Sequence, residues 1–152
     1  MDKEQFSALV LAGEKSLYRV AKSILHQEQD CEDAVQSAIL SAYAKRNTLR
    51  EEQYFQTWLT RILINECYSV LRRRRSVVSF EEYMETEPID RHQEYTEIYV
   101  EIAKLNETYR IPFVLHYVEG YSVRETADIL QISEAAVRMR LLRGRNLLKK
   151  VL

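Results

Sequence analysis

Apolar residues recur every third or fourth position over most of the chain, the spacing of one helical face. Phe6, Leu9, Val10, Leu17, Val20, Ala21 and Ile24 form the first such stripe, and Gly13 predicts a break there between two helices. Asp30-Cys31-Glu32-Asp33 opens the next helix. Asp30 suits an N-cap, and the acids lie where the helix dipole favours them. That helix carries Ala34, Val35, Ala38, Ile39, Ala42 and Tyr43 inward. A polar loop over residues 45–53 leads to a long helix over 54–75, with Phe55, Trp58, Leu59, Ile62, Leu63, Val70 and Leu71 apolar and Arg72-Arg73-Arg74-Arg75 at its end.

The periodicity then fades. Glu81, Glu82, Glu85, Glu87 and Asp90 gather around Pro88, which reads as a tether. A helix resumes near Tyr95 and runs to Lys104. Ile111, Phe113, Val114, Tyr117 and Val118 predict another, with Pro112 confined to its first turn and Gly120 closing it. Ser122-Val123-Arg124-Glu125 is a capping box that opens a short helix with Ala127, Ile129 and Leu130. Gln131-Ile132 is a turn. Ser133 caps a final helix whose inward row is Val137, Leu141, Gly144 and Leu148.

Composition points the same way. Among 152 residues there are 3 glycines and 2 prolines, against the roughly 12% expected of an average chain. Sheets joined by tight turns need such residues, so an all-α fold is expected. The longest apolar run, residues 8–12, is too short to span a membrane. The start, Met1-Asp2-Lys3-Glu4, has no signal-peptide character, and two distant cysteines suit buried thiols in a reducing cytoplasm. Isolated His26, His92 and His116, no paired Cys/His spacing and no glycine-rich loop leave no enzyme, metal or cofactor site to expect.

The net charge of −1 speaks against nucleic acid only as an average. Residues 1–78 carry 12 basic and 10 acidic side chains, residues 79–108 carry 2 and 9, and residues 109–152 carry 8 and 4. Charges are felt over about 8 Å in cells, so two basic units flank an acidic strap. The C-terminal pair of capped helices has the form of a helix-turn-helix, whose second helix enters the major groove. Its small Ala127 lets the two helices approach. Ser133, Glu134, Ala135, Arg138, Met139, Leu142, Arg143, Arg145 and Lys149 then lie at its start and along its outer face. Arg138 suits a base edge, Met139 and Leu142 suit thymine methyls or a protein partner, and Arg143, Arg145 and Lys149 suit phosphates.

Taken together, these segments resemble the extracytoplasmic-function (ECF) group of bacterial RNA polymerase sigma factors. The stretch Asp30 to Gln36 with Ala42-Tyr43 is similar to that family's polymerase-binding helix. Phe55-Gln56-Thr57-Trp58-Leu59, Ile62, Asn65 and Arg72 to Arg75 resemble the helix behind its minus-ten loop. Tyr109-Arg110, Gly120-Tyr121-Ser122, Glu125 to Leu130 and Val137 to Arg143 resemble its minus-thirty-five module. The resemblance implies two helical domains, residues 1–75 and 95–152, joined by an acidic linker over 76–94. It implies docking of Asp30, Glu32, Asp33 and Gln36 on the β′ clamp helices of core RNA polymerase, with the β flap a further contact. Minus-ten DNA would meet Asn47, Arg50, Tyr54, Arg61, Asn65, Arg72 and Arg73, while Trp58 sits on the apolar stripe and reads as core. An anti-sigma partner is a further expectation. Ser69 and Gln131 depart from the family, which has an acid and a glycine there. The rival readings are a stand-alone helix-turn-helix regulator and a helical adaptor without DNA binding.

Overall fold

The computed structural model describes residues 1–77 and 97–151, with side chains through Arg74 and again from Glu97. The chain divides into two compact units, and every described element is helical. The acidic tether and the expected helix start at Tyr95 lie outside the described residues.

The first unit packs three helices against one another: α1 (Lys3–Ile24), α2 (Glu28–Ala44) and α3 (Phe55–Val77). A capping box starts α1. The Gln5 amide N–H donates to Asp2 Oδ1 at 2.8 Å and the Asp2 N–H donates to Gln5 Oε1 at 3.0 Å. The helix runs unbroken through Gly13, so the expected break is corrected. Gly13 instead makes room. The Gln56 side chain of α3 lies where a Cβ would stand, and its Nε2 donates to the Leu9 carbonyl at 3.0 Å. A helix tolerates one glycine at about 1 kcal/mol, which close approach of a neighbour offsets here.

The first apolar stripe is buried except Leu9, which is half-buried. Phe6 meets Tyr43 edge-on at 5.2 Å and Phe55 at 5.6 Å, joining all three helices. Small residues Ala34, Ala38 and Ala42 line the inner row of α2 and let it lie close to α1 and α3. On α3, Leu59, Leu63, Ile64, Cys67, Val70 and Leu71 are buried. Trp58 and Ile62, expected inward, are only half-buried.

The second unit holds α4 (Glu97–Lys104), α5 (Glu107–Phe113), α6 (Val123–Leu130) and α7 (Glu134–Val151). Asn106 caps α5, accepting from the Thr108 N–H at 2.9 Å. The helix therefore begins upstream of its expected start, and Pro112 falls inside it rather than in its first turn. A proline there lacks an N–H and crowds the carbonyl four residues back. The chain widens into a π-helical turn over Val114–Val118. Small clusters of buried side chains hold these helices among the described residues. Ile102, Leu105, Phe113, Val114 and Leu148 gather α4, α5 and α7, while Ala127, Val137 and Leu141 join α6 to α7.

Candidate polymerase-docking and nucleic-acid interfaces

The face of α2 turned from the core is built by helical spacing. Asp33, Gln36 and Leu40 are exposed on it, and Gln29 Nε2 donates to Asp33 Oδ1 at 3.0 Å. Glu32 is half-buried at its margin. Leu40 is 71% exposed, which a large aliphatic group seldom is without a use. The sequence reading missed it, although its spacing of four from Gln36 places it off every buried row.

Asp30 is corrected on two counts. The helix starts at Glu28 with Gln27 in the capping position, and Gln27 makes no side-chain cap bond. Asp30 thus sits in the first turn, 4% exposed. Both of its carboxylate oxygens are occupied by Arg74: Nη2 donates to Oδ1 at 2.7 Å and Nε to Oδ2 at 3.1 Å. A carboxylate 4% exposed and turned onto that fork does not present its oxygens to a partner surface, so Asp30 leaves the docking set.

The loop after α2 is pinned by Arg46, which the sequence reading left unassigned. Its guanidinium lies 4.1 Å over the Tyr43 ring and donates to the carbonyls of Tyr43 at 2.9 Å and Met1 at 3.2 Å. This holds Asn47, exposed in the 3-10 turn Arg46–Thr48, at the base of the loop. Arg50 is exposed beyond it, and Tyr54 ends a second 3-10 turn with 55% of its surface exposed. On α3, Trp58, Arg61, Asn65 and Arg72 follow one another at helical spacing along the outward row. Trp58 leans on Phe55 at 5.9 Å, one face toward the core and the rest open. It is neither fully core nor a free platform. Ser69 donates from Oγ to the Asn65 carbonyl at 3.1 Å and accepts from Arg72 Nη2 at 3.0 Å. The serine that departs from the family pattern thus steers Arg72 along the helix. Arg73 is exposed beside it.

In the second unit the capping box is present as read: Glu125 N–H donates to Ser122 Oγ at 3.0 Å and Ser122 N–H to Glu125 Oε1 at 2.9 Å. Ser133 Oγ accepts from the Ala136 N–H at 3.0 Å and starts α7. Along α7, Val137, Leu141, Gly144 and Leu148 are all buried. Glu134, Ala135, Arg138, Met139, Leu142, Arg143, Arg145 and Lys149 are all exposed. Gly144 lies against Phe113 and Tyr109, yet a Cβ there would meet Phe113 only at 3.4 Å. Close approach exists without demanding glycine. Arg138 reaches Glu134 at 3.8 Å, both well exposed, a pairing of little energetic weight. Arg145 Nη1 donates to Tyr117 Oη at 2.6 Å. Tyr117, expected on an inward row, is 46% exposed and stacks on Phe113 at 4.6 Å. Arg110, part of the minus-thirty-five resemblance, is buried, and its Nη1 donates to the Leu105 carbonyl at 2.7 Å, fixing α4 to α5.

Known protein families match both parts of this chain. Sigma-70 region 2 matches residues 9–77, and sigma-70 region 4 matches residues 95–148. ECF RNA polymerase sigma factor SigM of Mycobacterium tuberculosis is 31% identical over 157 residues, covering 99% of this chain and 79% of that protein. RNA polymerase sigma-H factor of Pseudomonas aeruginosa is 30% identical over 169 residues, covering 99% and 88%. Among solved structures, the sigma factor RpoE of Bartonella quintana, in complex with the anti-sigma factor NepR, superposes with a TM-score of 0.83 at 25% identity, over 97% of this chain and 96% of that one. CnrH, in complex with the cytosolic domain of CnrY, gives 0.74 at 25% identity, over 99% and 88%. The two sigma-70 regions follow one another along the two units, and relatives at 31% and 30% identity span nearly the whole chain, so the chain belongs to the ECF RNA polymerase sigma factors.

Proposed function

We propose a division of labour for a sigma factor that binds core RNA polymerase and directs promoter-specific initiation. Residues 1–75 act as region 2, residues 76–94 as an acidic linker and residues 95–152 as region 4. In region 2 the outer face of α2, with Glu32, Asp33 and Gln36 and now Leu40, docks on the β′ clamp helices. Carboxylate and amide acceptors suit arginines on a partner helix, and Leu40 supplies an apolar centre of the kind that carries much of an interface's energy. Asn47, Arg50 and Tyr54 receive an unpaired minus-ten base, where stacking and edge hydrogen bonds must recover a few kcal/mol of unpairing. Arg61 and Asn65 meet the adjoining duplex, and Arg72 and Arg73 its phosphates.

In region 4, α7 enters the major groove of the minus-thirty-five element. Ser133, Glu134, Ala135, Arg138 and Met139 are nearest the bases, and Arg143, Arg145 and Lys149 are on phosphates. The observation that carries this reading is the clean division of α7 into a buried row and an exposed basic row. The β flap is the second polymerase contact. The chain works in the cytoplasm without catalytic chemistry of its own, and no described helix is long and apolar enough to cross a membrane. An anti-sigma protein, like the one in complex with the Bartonella quintana RpoE, covers these faces, with Met139 and Leu142 among the residues it hides.

Run-off transcription with core polymerase on a promoter library tests the whole reading. Defined transcripts are expected only when both protein components are present, and sequencing them gives the promoter. Tight, specific duplex binding by the purified chain alone, with no transcripts on adding polymerase, would replace it with a stand-alone regulator.

A further inference from the structure

The four-arginine run at the end of α3 contains two kinds of arginine. By helical spacing Arg74 continues the buried row Leu63, Cys67 and Leu71, whereas Arg72 points the opposite way and Arg73 flanks it. The environments agree: Arg72 and Arg73 are exposed, while Arg74 turns inward onto Asp30. Asp30 in its turn lies four residues before Ala34, at the head of the row Ala34, Ala38 and Ala42 that α2 buries. Two opposite charges thus stand at the ends of two apolar rows, 44 residues apart in sequence, and meet through a two-pronged bond. Gln27 Oε1 lies 3.5 Å from the same Nη2. The first turn of α2 has no side-chain cap of its own, and the fork from α3 ties that turn to the end of α3.

We propose that Arg74 is a positioning residue and not a phosphate contact: paired with Asp30, it locks the arginine-bearing end of α3 to the first turn of α2, holding Arg72 and Arg73 in one geometry relative to Asp33 and Gln36. The proposal rests on the assignment of those faces to promoter and polymerase. Its consequence is coupling. With the pair formed, a partner docked on α2 and a phosphate held by Arg72 and Arg73 are borne by one rigid piece. A planar guanidinium is needed because it spans both carboxylate oxygens, and a lysine ammonium of equal charge does not.

The test compares Arg72→Ala, Arg74→Lys and Arg74→Met in the full chain, reconstituted with core polymerase on a promoter found by run-off transcription. Promoter affinity is followed across salt concentrations. Arg72→Ala is expected to flatten the log–log salt slope by about one phosphate's share, close to 0.9 on duplex. Arg74→Lys and Arg74→Met are expected to leave the slope unchanged while lowering affinity, by roughly tenfold for the lysine variant. The reciprocal exchange Asp30→Arg with Arg74→Asp is expected to recover part of the loss, which a packing defect alone would not allow. Hydrogen exchange on the free chain, needing no promoter, should show the first turn of α2 and the last turns of α3 opening together in Arg74→Lys. A slope flattened as much by Arg74→Lys as by Arg72→Ala would make Arg74 a phosphate contact and overturn the proposal. So would unchanged affinity in both Arg74 variants, or exchange that rises in α3 alone. A wild-type complex that retains no promoter would instead sink the sigma assignment itself, leaving the exchange result to judge the lock.

Discussion

Gln131 closes α6 with φ 58° and ψ 44°, the left-handed conformation in which a side chain crowds its own backbone. Glycine adopts it freely. The glutamine recovers part of the cost, since its Nε2 donates to the Asp128 carbonyl at 2.8 Å. That bond is exposed and exchanges readily with water, so strain should win. Gln131→Gly is expected to stabilise the second unit by about 1 kcal/mol, read as a higher urea midpoint with an unchanged m-value. Loss of stability would show that the Asp128 bond outweighs the strain. The two cysteines are the other residues with a sharp environment. Burial pushes the Cys31 thiol up to about 12 and the Cys67 thiol higher still. A thiolate is the reactive form, so neither should react with a disulfide reagent at pH 8 except through opening of the fold. The folded state holds these protons more tightly than the unfolded one. Their contribution to stability is therefore complete below the ordinary thiol value near 9.0 and is lost as pH rises toward 12. Rapid labelling of the native chain, or stability that rises over that window, would contradict the burial.

At the scale of elements, the contact of α6 with α7 depends on Ala127, which packs with Val137 and Leu141 in one small core. Ala127→Leu has no space to fill there. It should cost about 1–3 kcal/mol by overpacking and tilt α7 away from α6. Minus-thirty-five binding by the polymerase complex should then fall even below the melting temperature, as footprinting would show. Intact binding would mean that α7 is set by α5 alone. This contact was legible in the sequence because local signals agree: a capping box on α6, a serine cap on α7, a small residue and a spacing of 3–4 all name the same helices. The outward row of α7 was legible for the same reason. What escaped notice depends on partners far along the chain. Gly13 looks like a break until Gln56 arrives from α3 to occupy its missing side chain. Pro112 looks like a first-turn residue because the cap at Asn106 is a weaker sequence signal than the proline. Asp30 looks like a cap because nothing local reveals Arg74. Leu40 and Arg46 carry no motif, and only their exposure and contacts mark them.

Across the whole molecule, charge is segregated while the total stays near zero. That balance has a physical consequence on the proposed reading, in which the chain engages a promoter only together with polymerase. Non-specific affinity comes from phosphate neutralisation and counterion release, without reference to sequence. A chain made of the two basic segments alone would engage any duplex. The acidic segment, although tethered between them, lowers the potential a distant phosphate meets within a screening length of about 8 Å. Replacing Glu81, Glu82, Glu85 and Glu87 by glutamine moves the net charge from −1 to +3 without touching a described side chain. The free chain is then expected to bind random duplex several-fold more tightly at ~50 mM salt, with the difference shrinking at ~200 mM as screening takes over. Promoter affinity of the polymerase complex should stay the same, because the contacts proposed above lie on the loop after α2, on α3 and on α7. Early RNA synthesis should change if the strap enters the nucleic-acid channel of the enzyme. Fluorescence anisotropy on a random duplex measures the first effect, and the ratio of abortive to full-length transcripts the second. Unaltered anisotropy would assign the acids to solvation alone. A weakened promoter complex would place them, instead, on the path of the DNA.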